Sequence, residues 1–187
     1  MNARQCFLVV WRLIDAIYFL FTRLQYIKNK YGDKTLLRVR VIKYKGRTVT
    51  LSDGTAINKN DKLIKIHLHN VRLLNSFNRL GDIQKGLAVY RTIEESLPFV
   101  CRYVNMHKHE REIKGLIGIT LLHKGCKKLG FERVPIQNRY FKYFKRAALF
   151  PIYLLASTDA LSKKTTDPMY LFMSKKSLEK KYRLPAR

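Results

Sequence analysis

Apolar and basic residues alternate through Leu37, Arg38, Val39, Arg40 and Val41, a period of two that predicts a half-buried strand. Two short β-prone runs, Thr48 to Leu51 and Thr55 to Ile57, flank Ser52-Asp53-Gly54. Asp-Gly between such runs predicts a hairpin. Asn60-Asp61 marks another turn, since Asn tolerates a left-handed backbone. Alternation resumes from Lys62 to His69, with Ile64, Ile66 and Leu68 on one face and Lys65, His67 and His69 on the other.

The period then changes. Ile83, Leu87, Tyr90, Ile93, Leu97, Val100 and Val104 recur at steps of three and four, which predicts a helix over 82–107 with one apolar stripe. Pro98 is expected to divide it, with Ser96 capping the second piece. Residues 114–137 read as strand, short helix and returning strand: Leu116 to Leu121, His123 to Leu129 stopped by Gly130, then Phe131 to Ile136. The helix is short for a crossover between parallel strands. Met169 to Met173 predicts a last strand, and Ser174 caps a helix reaching about Tyr182. The expected fold is one α+β domain over 1–187, with a mainly antiparallel sheet, a long helix, a strand-helix-strand unit and helical ends. Its parts are an apolar N-terminal helix over 1–30, an α+β core over 35–137, and a basic-aromatic helix, last strand and C-terminal helix over 138–187.

Charge changes the picture more than length does. The 187 residues hold 38 Lys and Arg against 13 Asp and Glu, a net +25 that suits a polyanionic partner: nucleic acid, an anionic membrane face or an anionic envelope polymer. Residues 1–50, 51–137 and 138–187 carry +9, +7 and +9, so no detachable basic arm concentrates the excess. Cys6, Cys101 and Cys126 form no Cys-x-x-Cys pair and are odd in number, which predicts reduced thiols in a cytosolic setting.

Two segments carry membrane character. Residues 7–21 are apolar nearly all round, interrupted by Arg12 and Asp15 at a spacing that lets them pair on a helix. The longest uncharged stretch, Ala16 to Thr22, is far short of the roughly 20 residues a span needs, and no signal-cleavage pattern follows. Two readings stand: a helix packed against the domain, or one lying in a membrane interface. Farther on, Arg139, Tyr140, Phe141, Lys142, Tyr143, Phe144, Lys145 and Arg146 interleave cations and rings before an apolar run that Pro151 is expected to kink or end. Such mixing suits lipid headgroups, where rings sit at the interface and cations meet anionic lipid, or stacking on a single nucleic-acid strand. The surface expected to bind is Arg139, Tyr140, Lys142, Phe144, Lys145 and Arg146.

Candidate chemistry is sparse. His67 and His69 lie two residues apart on one strand face, about 6.6 Å along it, a spacing at which two imidazoles can share a metal. Asp53 or Asp61 would supply a third ligand, and His123 opens a helix after a strand. His107 and His109, beside Glu110 and Glu112, read as a solvated loop. The glycines at 115, 118 and 125 match neither a dinucleotide fingerprint nor a P-loop, and no Gly-x-Ser-x-Gly elbow is present. No cofactor is expected, and the scarce acids Asp53, Asp61, Asp82 and Glu132 form no evident catalytic pair.

Several segments together carry a resemblance. They are Leu37 to Arg40, Thr50 to Thr55, Asp61 with Ile66-His67-Leu68-His69-Asn70, Lys114 to Thr120, His123-Lys124-Gly125, Leu129-Gly130-Phe131, and Ser174 with Leu178 and Tyr182. Over roughly residues 8–183 the chain resembles the YkoP-like domain family of spore-forming Gram-positive bacteria. It departs from the family's usual pattern at Asn60, where Gly more often precedes the Asp, and at Cys126, where a small residue is usual. The resemblance implies no particular reaction. Related domains attached behind polysaccharide deacetylases imply envelope or spore-wall glycan metabolism, with polysaccharide-modifying enzymes among the partners. Residues 123–134 are also similar to the late helix-strand unit of GNAT acetyltransferases, but the glycine loop that holds the coenzyme A pyrophosphate is missing.

The expected role is therefore a basic binding domain at the cytoplasmic side of the envelope, peripheral on the membrane, acting on anionic lipid or an anionic envelope polymer. The alternative is an envelope-related transferase or hydrolase using Asp53, His67, His69 and His123. Nucleic-acid binding comes third, since no helix-turn-helix, finger or RNA-recognition signature is present.

Overall fold

The computed structural model describes residues 21–69, 81–121, 125–156 and 167–184. The predicted apolar helix over 7–21 and the candidate His123 thus lie outside the described residues, except for Phe21. Among the described residues six strands form one mixed sheet: β1 (Gln25–Lys28), β2 (Lys34–Lys43), β5 (Lys62–Leu68), β6 (Ile113–Thr120), β8 (Met169–Ser174) and β7 (Glu132–Pro135), in that spatial order. All neighbours pair antiparallel except β5 and β6. The hairpin predicted around Asp53-Gly54 is a separate two-stranded unit, β3 (Val49–Thr50) with β4 (Ala56–Ile57). Gly54 turns it at φ +82°, and Asn60 takes φ +73° at the next turn, as its side chain permits.

A parallel pair cannot be joined by a tight turn. The long connection from β5 to β6 contains helix α1 (Asp82–Asn105), whose Leu97, Val100, Cys101 and Val104 are buried against the sheet. The expected division at Pro98 does not occur: α1 is continuous for 24 residues. Pro98 removes only its own N–H, and burial on both sides of it holds the helix in place. Ser96 is not a cap; its hydroxyl donates to the Thr92 carbonyl one turn back, at 2.6 Å.

The strand-helix-strand unit is also corrected. Residues 125–130 form turns, with Gly125 and Gly130 at φ +83° and +89°, and not a helix. The returning strand β7 does not lie beside β6. Strand β8 sits between them and pairs antiparallel with both, which leaves β6 and β7 parallel but not adjacent. Ser174 caps α3 (Lys175–Tyr182) as expected, accepting from the Ser177 N–H at 2.9 Å. Leu178 and Tyr182 are buried, and the Tyr182 hydroxyl donates to the Leu129 carbonyl at 3.1 Å. Helix α2 (Arg139–Ala156) starts at Asn138, whose side chain accepts from the Phe141 N–H at 2.8 Å, and it runs through Pro151 without ending.

Two apolar clusters cover the two faces of the sheet. Leu37, Val39, Ile64 and Leu116 pack with α1 and α3 on one side. Tyr44, Leu51, Ile57, Leu63, Ile117 and Phe172 pack on the other, beneath the β3–β4 hairpin. Helix α2 joins that second side, where the Phe141 ring stacks on Tyr170 at 6.3 Å between centroids.

Gly115 tests how closely β6 and β8 approach. A Cβ there would collide with the Met173 carbonyl, whereas one at Gly118 would meet only Leu171 Cβ at 3.9 Å. We expect Gly115→Ala to lower the unfolding free energy by about 1–3 kcal/mol and Gly118→Ala to change it little, as read by chemical denaturation.

Candidate anion-binding face

Antiparallel pairing of β2 with β5 sets Arg38 directly opposite His67 and Arg40 directly opposite Lys65. Side chains facing each other in this way stand about 5 Å apart at Cβ. The alternation read from sequence is correct, and the polar face it defines is largely covered. Arg38 is only 3% exposed, and Arg40, Lys65, His67 and His69 are half-buried. Strand β1 supplies one wall: Tyr26 pairs with Arg38, its ring lies 4.9 Å beneath the guanidinium, and it contacts the His69 ring at 5.9 Å. Helix α2 supplies the other wall by turning Lys145 inward, with its Nζ 5.3 Å from both the Phe141 and Phe144 rings.

The electrostatics follow from that crowding. Burial first, then the charges of Lys145 and Arg40, lower the Lys65 ammonium to about 8. Burial, then Lys65, Arg40, Lys145 and Arg38 in turn, lower the His67 imidazole to about 3, so His67 is neutral at any physiological pH. Lys145 is shifted downward by burial and then by Arg40. Among the described residues no carboxylate offsets any of these three groups. Nearby acids are engaged elsewhere. Asp167 pairs with Lys142 at 3.0 Å and Arg146 at 3.7 Å, and Glu112 pairs with Lys62 at 2.8 Å. Glu132 accepts from the Ser52 N–H at 3.0 Å and its hydroxyl at 2.8 Å. The Arg40 Nη1 donates to the Thr22 carbonyl at 3.3 Å, while its buried Nε has no acceptor among the described residues. A cluster of this kind attracts anions and repels metal cations.

The sequence-predicted site residues are only partly brought together. His67 and His69 share the cationic face as expected. Asp53 does not join them. It accepts from the hydroxyls of Ser174 and Ser177, the latter at 3.2 Å, and from the Thr55 N–H at 3.0 Å, tying the hairpin to the start of α3. The row Leu63, Gly115, Ser174 in the sheet register marks its place, and His67 lies four residues farther along β5, roughly 13 Å. Among the described residues no three His, Cys, Asp or Glu side chains converge as metal ligands. The loop holding His107 and His109 is more ordered than its polarity suggests: His109 Nδ1 lies 2.8 Å from Glu112 and 3.0 Å from Lys62 Nζ, and Lys175 bonds Glu110 at 2.5 Å. Cys101 and Cys126 are buried, and burial raises both thiols.

The predicted surface on α2 is divided. Lys142 and Arg146 meet Asp167, Lys145 faces the sheet, and Arg139 is exposed. The rings do the reverse of what an ordinary amphipathic helix does: Tyr140, Tyr143 and Phe144 are 89%, 55% and 63% exposed. Sequence reasoning passed over Arg38, Arg40, Lys65 and Tyr143. The signal for the first three was cations at alternate positions in two strands with matching turns between them.

A family profile described as the YkoP domain matches residues 4–182. A protein of Bacillus subtilis (strain 168), described as uncharacterized protein YkoP, is 43% identical over 180 residues, covering 96% of this chain and 97% of the relative. No solved structure matches at a significant level.

The His67 environment gives a pH test. Its folded-state value, about 3, lies below the ordinary 6.5, so the unfolded chain takes up a proton that the folded chain refuses. Stability attributable to this group therefore falls as pH drops from 6.5 toward 3. We expect His67→Gln to flatten the pH dependence of stability between pH 5 and 6 by about one proton, or ~1.4 kcal/mol per pH unit, in denaturation series.

Proposed function

The chain belongs to the YkoP domain family, and we propose that it is a basic binding domain that lies peripherally on an anionic membrane face through α2. One observation carries this reading: α2 turns Phe141 and Lys145 toward the sheet and Tyr140, Tyr143 and Phe144 toward solvent. Ala147 and Ala148 are exposed on the same side. Three large rings on one helix face cost free energy in water, and a lipid interface removes that cost while leaving each phenol hydroxyl wet. Arg139 beside the rings and the net charge of +25 select an anionic surface over a neutral one. Each cation near such a surface contributes about 1 kcal/mol.

No helix among the described residues is long and apolar enough to cross a membrane, so α2 would lie along the interface. Placement on the cytoplasmic side rests on the three cysteines read as reduced thiols, and any link to envelope glycan metabolism on the family resemblance; neither rests on the geometry.

The test is co-sedimentation with vesicles of phosphatidylglycerol and phosphatidylcholine against phosphatidylcholine alone, at two salt concentrations. We expect binding to the anionic vesicles only, weakened by salt. The combined change Tyr140→Ser, Tyr143→Ser and Phe144→Ser should reduce it at least about tenfold, and Arg139→Ser alone about fivefold. Equal binding to neutral vesicles, or binding indifferent to loss of the three rings, refutes this surface. Salt-dependent binding to single-stranded nucleic acid in place of vesicles would transfer the rings to base stacking.

A further inference from the structure

The rings on the outer face of α2 leave the charges beneath it unexplained. A folded sheet does not ordinarily place two cations directly opposite each other, since like charges in that position repel. Here Arg40 faces Lys65 across the β2–β5 ladder, and Lys145, over the Phe141 ring on α2, lies near enough for its charge to act on Lys65 and for Arg40 to act on it. The three come from three different elements, so no single helix or loop creates the cluster by accident of local sequence. All are half-buried, which weakens hydration of their charges without sealing them from solvent. Described acids that could have neutralised them are engaged elsewhere, Asp167 most tellingly: it binds Lys142 and Arg146 on α2 and not Lys145.

We propose that Arg40, Lys65 and Lys145 form a binding site for a phosphate monoester, either diffusible or carried as a headgroup. The dianion supplies the two negative charges such a cluster needs. Its three terminal oxygens match donors arriving from β2, β5 and α2. The buried Arg40 Nε, which has no acceptor among the described residues, is one donor in place. Arg38, His67 and His69 on the sheet floor, and Tyr26 at its margin, are the other ionisable groups on this face among the described residues. The proposal does not rest on membrane binding, because a soluble phosphate monoester and a lipid headgroup present the same dianion.

The experiment uses the full chain at pH 7 and constant ionic strength. Three probes are compared: inorganic phosphate against sodium chloride, glycerol 3-phosphate against sodium chloride, and phosphatidic acid vesicles against phosphatidylglycerol vesicles. Thermal unfolding and calorimetry read the first two, and co-sedimentation the third. We expect Lys65→Met and Lys145→Met each to weaken binding about tenfold or more, while Lys176→Met, an exposed site with the same change in net charge, leaves it unchanged. Lys65→Met should also raise the melting temperature in phosphate-free buffer, because it removes a repulsion, and this guards against a variant that merely fails to fold. Response to either soluble probe assigns a diffusible ligand; response to phosphatidic acid alone assigns a headgroup. The site is refuted if no probe exceeds its matched control, if Lys65→Met responds like the unmodified chain, or if Lys176→Met loses as much. Lys65→Met should still bind phosphatidylglycerol vesicles, so failure of this site and failure of the α2 surface are read separately.

Discussion

Register between β2 and β5 governs everything else about this molecule. Seven residue pairs run from Leu37 opposite Leu68 to Lys43 opposite Lys62. Side chains in a strand alternate between faces, so a slip of one residue in either strand would exchange its whole inner and outer sets. In the observed register Leu37, Val39 and Ile64 meet α1, and the same choice sends Arg38, Arg40, Lys65 and His67 to the side that α2 covers. The apolar core and the cationic cluster are two consequences of one ladder. Burial of Leu37, Val39 and Ile64, all at 0% exposure, fixes the register that holds the cations together despite their repulsion.

That arrangement also explains why the sheet needs two covers. The β3–β4 hairpin closes the second face where Leu63, Ile117 and Phe172 lie, over an apolar cluster whose margin is tied by Ser52 to Glu132 and by Asp53 to Ser174 and Ser177. Beyond Leu63 the residues on this face turn cationic, and the cover changes to α2, which offers an aromatic ring to Tyr170 and a lysine to Lys65. Among the described side chains α2 is held by one stacked ring and two partly exposed ion pairs to Asp167, and it sets a like charge against the sheet, where the hairpin lies over a buried apolar cluster. The position of α2 is accordingly the part of the fold most open to influence by an anion that binds beneath it, because a ligand stabilises the arrangement in which its partners converge.

What was legible in the sequence was local. The hairpin at Asp53-Gly54, the left-handed Asn60 and the Ser174 cap each depend on a few neighbouring residues, and all three are found where they were expected. Insertion of β8 between β6 and β7 was not legible, because it joins segments tens of residues apart and no spacing rule reports it. Pro98 misled for a related reason: its local cost is real, but burial of Leu97, Val100 and Cys101 around it outweighs one missing hydrogen bond. At the site, alternation correctly separated Lys65, His67 and His69 from their apolar neighbours. It carried no information on whether the polar face met water or another element, and α2 begins about seventy residues farther along the chain.

The two anion-facing features differ in the physics they use. On α2 the charge is exposed, so attraction is spread over a surface, screened by salt and indifferent to the shape of the anion. Beneath α2 the charges are half-buried, where a given separation is worth several times more and mobile ions screen it poorly. Such charges favour a compact dianion that can touch several of them at once over a diffuse layer of monoanions. Lys145 belongs to the second set although it lies on the helix that carries the first, and its inward turn over Phe141 separates the two proposed roles on one element. The outer face would bring the chain to a surface; the inner one would discriminate among the anions found there.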